Sequence, residues 1–187
     1  MTELIEFINS FIALDSATEQ AIKDHFKTEF FEKNEFLVKT GRICTNVYFI
    51  KSGLVRRFYE NDDREVTVWI YHENHWITSL ASYFEQKPAI ENFQACENTA
   101  VYSLSYSDEQ RLFEMPLFLK FHINFLRLNF GRLDEFHQKY ELMNAHEKYS
   151  YLLTYFPEIV KRAKLKHIAS LMNVSQETLS RIRAAIN

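Results

Sequence analysis

Between Phe30 and Tyr106 the chain breaks into short runs rich in Val, Ile, Tyr, Phe and Thr: EFLVK, NVYFI, LVRRFY, EVTVWIY, NFQAC and TAVYSLSY. Turn residues punctuate them at Thr40-Gly41, Ser52-Gly53, Asn61-Asp62-Asp63 and Lys87-Pro88. Several short strands at such regular spacing predict an antiparallel sandwich or barrel. Only 3 glycines occur in 187 residues, so Asn, Asp and Ser are expected at the remaining corners.

Helical spacing dominates on either side of this block. Leu4, Ile5, Phe7, Ile8, Phe11 and Ile12 recur at helical intervals, and Ser16 with Glu19 reads as a capping box opening a second helix. Ser107-Asp108 offers a cap after the last strand, and Pro116 suits the first turn of a long segment, Leu117 to Tyr155, with room for a break. Its apolar residues form two stripes. Phe118, Phe121, Phe125 and Leu128 follow heptad-like steps, whereas Leu119, Ile123, Leu126 and Phe130 lie on a neighbouring face. One stripe can pack on its own domain and the other needs a second surface, most simply a second copy of the helix, with Gly131 permitting close approach. A more deeply buried monomeric helix is the alternative.

The most specific stretch is KLKHIASLMNVSQETLSRIRAAIN, Lys164 to Asn187. Leu165, Ile168, Ala169 and Met172 make one short apolar face, Asn173-Val174 makes the break, and Ser175 caps a second helix with Leu179, Ile182 and Ile186 on one side. That is a helix-turn-helix pattern. Opposite the apolar side stand Glu177, Ser180 and Arg181, with Gln176 near the N-terminal edge. Arg pairs with guanine O6 and N7, Gln suits adenine, and Glu accepts from cytosine N4, all within a major groove. Lys166, Ser175 and Thr178 are better placed for phosphates, beside the positive end of the helix dipole.

Charge supports the same division. Residues 158–187 carry Lys161, Arg162, Lys164, Lys166, Arg181 and Arg183 against Glu158 and Glu177, a net +4 on a chain whose total is -3. The rest of the chain is therefore acidic at -7. An acidic body with a basic end suits a polyanionic partner, although a solvated basic helix is the commoner explanation of such a tail.

IASLMNVSQETLSRIR resembles, almost position for position, the DNA-binding helices of the Crp/Fnr superfamily of bacterial transcription regulators. NEFLVKTGRICTNVYFIKSGLVRRFY is similar to the opening strands of that family's cyclic-nucleotide-binding-type jelly roll, so the resemblance spans nearly the whole chain. It implies an α+β fold: an antiparallel β jelly roll with flanking helices, a long dimerisation helix and a C-terminal helix-turn-helix. The implied divisions are a sensor-like domain over residues 1–107, the dimerisation helix over 108–145 and the DNA-binding domain over 146–187. By the resemblance Gln176, Glu177 and Arg181 fall where the family contacts bases, and Lys166, Ser175 and Thr178 where it contacts phosphates. The partners it implies are double-stranded DNA, a second copy of the chain, an unidentified small effector and RNA polymerase. Because Asn187 directly follows the second helix and little chain precedes Lys164, the family's wing hairpin is expected to be reduced.

The departures bear on mechanism. The family's cyclic-nucleotide receptors hold ribose and cyclic phosphate with a Gly-Glu pair and an Arg-Ser pair. Here Thr78-Ser79 and Ala89-Ile90 stand at about those places, a degenerate effector pocket. A buried cyclic phosphate without a charge partner costs several kcal/mol, so cyclic AMP is not expected to be the effector. The iron-sulfur members use an N-terminal cysteine cluster, whereas here no cysteine precedes Cys44.

Other chemistry has weaker signals. His72 and His75 lie near predicted strand ends, but i and i+3 on a strand face opposite ways, and Glu73 alone does not complete a metal site. Surface or hydrogen-bonded histidines are expected, with no metal and no cofactor. Cys44 and Cys96 are too few for a disulfide framework, which favours a reducing, cytoplasmic setting. No apolar run approaches a membrane span, and the opening MTELIEFINSFIALDS carries acids where a signal peptide starts positive. With no nucleophile elbow, P-loop, zincin or paired-carboxylate motif, an enzyme is not expected. The expected function is sequence-specific DNA binding in transcription regulation, independent of cyclic AMP. The rivals are a small-ligand-binding jelly roll acting through a protein partner and a jelly-roll metalloenzyme.

Overall fold

A computed structural model of the chain describes residues 1–62 and 64–186, with the backbone alone for His137. Asp63 and Asn187, used above for a turn and for the end of the second helix, lie outside the described residues. Helices α1 (Thr2–Asn9) and α2 (Ser16–His25) precede the strands. The strands are β1 (Lys27–Phe31), β2 (Phe36–Val38), β3 (Asn46–Ser52), β4 (Val55–Asn61), β5 (Arg64–Tyr71), β6 (Trp76–Ile77), β7 (Asn92–Ala95) and β8 (Thr99–Ser105), with α3 (Leu80–Glu85) between β6 and β7. They form two antiparallel four-stranded sheets, ordered β1-β8-β3-β6 and β2-β7-β4-β5. This is the predicted jelly roll. Six of the eight strands coincide with the runs read from sequence, and β6 and most of β1 add to them. β6 has two residues, too few for a periodicity to register.

The fold continues through α4 (Tyr106–Leu112), α5 (Pro116–Tyr140), α6 (Ala145–Tyr155), α7 (Pro157–Arg162), α8 (Leu165–Leu171) and α9 (Gln176–Ile186). Two predicted caps shift. Asp15 caps α2 by accepting from the Thr18 amide at 2.8 Å, in place of Ser16, because a carboxylate one residue earlier reaches the same orphan donor. Ser105 caps α4 by accepting from the Asp108 amide at 3.1 Å, because β8 runs straight into the helix without the turn the sequence suggested. Pro116 does open α5, and the long helical segment breaks where Asn144 and Glu147 form a capping box.

The main core lies between the sheets and under α1 and α5. Phe49, Ile50, Val55, Phe93, Val101, Tyr102 and Leu104 are buried there with Leu4 and Ile8 of α1. Phe118 and Phe121 of α5 join them, and Phe125 is half-buried beside Phe7, Phe11 and Trp76. Leu128, expected on the same stripe, is 39% exposed, since those aromatic contacts end at Phe125. Along the neighbouring face Leu119, Ile123, Leu126 and Phe130 are all exposed.

A second core holds the C-terminal helices together, with Tyr149, Leu152, Ile168, Ala169, Met172, Leu179 and Ile182 buried. This unit rests on edge strand β5. The Thr67 amide donates to Ser170 Oγ of α8 at 2.9 Å, covering an edge donor that would otherwise invite another strand. Beneath α7, Arg162 makes a bidentate pair with Glu73 (2.9 and 2.9 Å) and also contacts Glu97, while Glu73 accepts from the Gly53 amide at 2.7 Å. Burial works against the Glu73 carboxylate, but Arg162 and the Gly53 amide outweigh it and bring the pKa down to about 2. A depressed carboxylate contributes stability above its unfolded value and loses it as pH falls toward the folded one. Between pH 4.5 and about 2, therefore, the native protein should lose melting temperature faster than Glu73→Gln. Discounted for partial exposure, the extra loss is about 2–4 °C, and parallel pH profiles for the two proteins would count against the clamp.

Candidate functional site

The predicted recognition unit is α8 and α9. α8 ends in an αR cap at Met172, and Asn173 then takes a left-handed φ of 56°, which turns the chain in place of a glycine. Ser175 Oγ accepts from the Thr178 amide at 3.1 Å, as expected of the cap, and the two hydroxyls lie 3.1 Å apart. Leu179 and Ile182 are buried against α8, so the opposite side of α9 faces solvent. Gln176, Glu177, Ser180 and Arg181 are all exposed there, and Thr178 is half-buried. Ile186, expected on the buried side, is 41% exposed, because α8 is only 7 residues long and the last turn of α9 overhangs it.

Lys166 is exposed on α8, near the N-terminal edge of this surface in sequence. Arg181 Nη2 reaches Thr178 Oγ1 at 3.4 Å. Hydrogen bonding from Ser175 holds the Glu177 carboxyl below its ordinary range, so it is an acceptor at neutral pH. The structure thus brings six of the seven predicted residues onto one helix end, with Lys166 on the helix before it.

The predicted effector positions fare differently. A cavity of about 140 Å³ opens between the jelly roll, α3 and α5. Of the four residues, Thr78 lines it, with its hydroxyl donated to the Asn46 carbonyl at 3.0 Å. Ser79 is buried with its hydroxyl unpartnered, Ala89 is buried with its amide and carbonyl tied to Arg42 and Gly41, and Ile90 points outward at 66% exposure. None of these three borders the cavity, because the chain after α3 turns its side chains away before β7 begins.

Residues the sequence reading missed lie at the cavity instead. Arg57 and Tyr71 line it, and Arg57 Nη2 donates to Glu91 Oε1 at 3.2 Å and to Tyr59 Oη at 3.0 Å. Glu91 is 4% exposed. A signal for this was present in Arg56-Arg57 at mid-strand, since successive side chains face opposite ways and one of the two must point inward. Arg56 takes the outer face, paired with Glu65 at 2.7 Å and Gln94 at 2.9 Å beneath α8.

His72 and His75 belong to the turn between β5 and β6, not to a strand, and their rings lie 4.4 Å apart. His75 Nδ1 sits 3.1 Å from the His72 carbonyl, and burial lowers the pKa of both rings. Among the described residues no group of three His, Cys, Asp or Glu side chains could hold a metal ion. Cys44 and Cys96 are free thiols. No described helix is long and apolar enough to cross a membrane.

Residues 28–115 match the family model of the cyclic nucleotide-binding domain. None of the curated proteins matches the chain. Among solved structures the chain is similar to the catabolite activator protein of Thermus thermophilus, at 19% identity over 94% of this chain and 85% of that one, with a TM-score of 0.57. It is also similar to the c-di-GMP responsive global regulator CLP of Xanthomonas campestris (16% identity, 92% and 91% covered, TM-score 0.67). A CooA variant from Carboxydothermus hydrogenoformans gives 17% identity, 89% and 78% covered, and a TM-score of 0.65. The shared feature is the fold, a cyclic-nucleotide-binding-type jelly roll followed by a long helix. Among the described residues lining the cavity Arg57 is the one arginine or lysine, and Glu91 pairs with it at 3.2 Å.

Proposed function

We propose that this chain is a dimeric, sequence-specific DNA-binding transcription regulator that acts without cyclic AMP, and not an enzyme. The observation that carries the reading is the outer row of α9, where Gln176, Glu177, Ser180 and Arg181 stand exposed on a helix whose other side is locked by its own core. An α-helix so presented fits a major groove, with Arg181 suited to guanine and Gln176 to adenine. Lys166, Ser175 and Thr178 supply cation and hydroxyl contacts for the flanking phosphates.

The exposed row Leu119, Ile123, Leu126 and Phe130 on α5 supports the two-fold partner, since a contiguous apolar helix face in water favours a matching one. Two recognition helices related by that axis would meet half-sites about 34 Å apart. The neutralised interior of the jelly roll supports independence from cyclic AMP. RNA polymerase and a small effector remain partners inferred from the resemblance.

Selection from random duplex DNA with the full-length protein, at moderate salt and without nucleotide, tests the reading. Enrichment of an inverted repeat is the expected outcome, and enrichment of no sequence, with or without cell extract, would overturn it. On the selected site Arg181→Ala should weaken binding by about 1–3 kcal/mol and relax preference at one base pair. Lys166→Ala should weaken all sequences alike and flatten the salt dependence. Uniform loss from both variants would refute the division of roles.

A further inference from the structure

The match to a cyclic nucleotide-binding domain raises the question of what the interior does with the place of the ligand's anion. The answer lies in two strands. Arg57 enters from β4 and Glu91 from the residue just before β7, and they meet at 3.2 Å on the inner side of one sheet. Glu91 follows Ala89-Ile90, which do not border the cavity, and is itself buried. The chain turns a carboxylate inward and meets it with a cation from the neighbouring strand.

Other contacts hold the guanidinium in place. Tyr59 Oη accepts from Arg57 at 3.0 Å, the guanidinium carbon lies 5.8 Å from the Phe93 ring centre, and Arg57 Nε is buried without a partner. Burial works against the Arg57 charge, and Tyr71, Tyr59 and Glu91 together more than restore it. An isolated buried guanidinium would demand an anion from solution; here the chain supplies one. The buried donor left over shows that the guanidinium retains hydrogen-bonding capacity which the chain's own groups do not fill.

We propose that the Glu91 carboxylate is a built-in counter-anion for Arg57, the cation that lines the cavity, and closes that cavity to anionic effectors. Glu91 is then the specificity-determining residue of this cavity, and Arg57 is the anion site it covers. What the cavity still admits is an uncharged molecule. The proposal concerns the jelly roll alone and stands apart from the reading of α9.

The test is anion binding by the full chain, measured by titration calorimetry and by melting temperature in a buffer free of phosphate and sulfate. Inorganic phosphate is the first probe and cyclic AMP the second. Native protein should respond to neither. Glu91→Ala should gain phosphate binding with a dissociation constant at least tenfold below that of the native chain and a melting temperature that rises with phosphate. The double variant Arg57→Leu/Glu91→Ala should lose that gain, which separates an uncovered cation from a merely loosened cavity. If Glu91→Ala does not fold, Glu91→Gln, which keeps the volume and removes the charge, carries the same comparison. Binding of phosphate or cyclic AMP by the native protein as tight as by the variant would overturn the proposal. So would a folded variant that gains nothing, or a double variant that keeps the gain. None of these readouts involves DNA, so the DNA-binding reading stands or falls separately.

Discussion

Phe121→Ala is expected to destabilise the protein by about 3–5 kcal/mol, the range for deleting a fully buried phenyl ring. Phe121 is 1% exposed and touches the rings of Phe11 (5.6 Å), Phe118 (5.9 Å), Trp76 (5.9 Å), Phe125 (5.8 Å) and Phe7 (6.4 Å). These belong to α1, the segment after it, β6 and α5 itself, so a cavity there loosens the attachment of the long helix to the jelly roll. Its neighbours are rigid rings and cannot collapse far into the void, which puts the cost toward the upper end. Urea unfolding should show a lower midpoint at unchanged slope. Affinity for a selected inverted repeat should fall with it, because the outward row on α5 keeps its orientation only while Phe121 is seated. A loss below 1 kcal/mol would mean that α5 is held elsewhere.

Gly53→Ala should be comparably severe for a different reason. Gly53 has φ +114°, a conformation nearly closed to side chains, and an added Cβ would lie 2.7 Å from the Thr99 Cα and against its hydroxyl. Backbone strain of about 1–3 kcal/mol and overpacking of about 1–3 kcal/mol both apply, since the obstacle is backbone and cannot rotate away. The Gly53 amide is also a ligand of Glu73, so a shift of this turn pulls at the clamp on Arg162. Denaturant unfolding of the variant reads the sum. Gly41→Ala is the natural comparison, because Gly41 also has positive φ, +82°, but open space around its Cβ position. It should cost less, and equal losses at the two positions would refute the role given to Thr99.

Local order explains which features were readable in advance. Strands β2, β3, β4, β5, β7 and β8 each combine β-branched or aromatic residues with a turn at their ends, and both signals act within a few residues. The two C-terminal helices and the turn between them were readable for the same reason: Ile168, Ala169, Met172, Leu179 and Ile182 recur at helical spacing around Asn173, and the exposed face follows from the buried one. Caps were harder. Asp15 and Ser105 displaced the predicted caps by a residue or two, because several side chains near a helix start can accept from the same amide.

The sequence by itself determined six of the eight strands, the polar row on α9 and the two stripes of α5, all consequences of the 2.0 and 3.6 periodicities. Only the tertiary structure decided which stripe is covered, since that depends on Phe7, Phe11 and Trp76, more than a hundred residues from Phe121 in the case of α1. It also decided what fills the jelly roll. Arg57 and Glu91 are 34 residues apart, one in β4 and the other just before β7, and no local signal pairs them. A charge in a strand reads as solvent-facing until the fold supplies an opposite charge at hydrogen-bonding distance, and that proximity is created by sheet register alone.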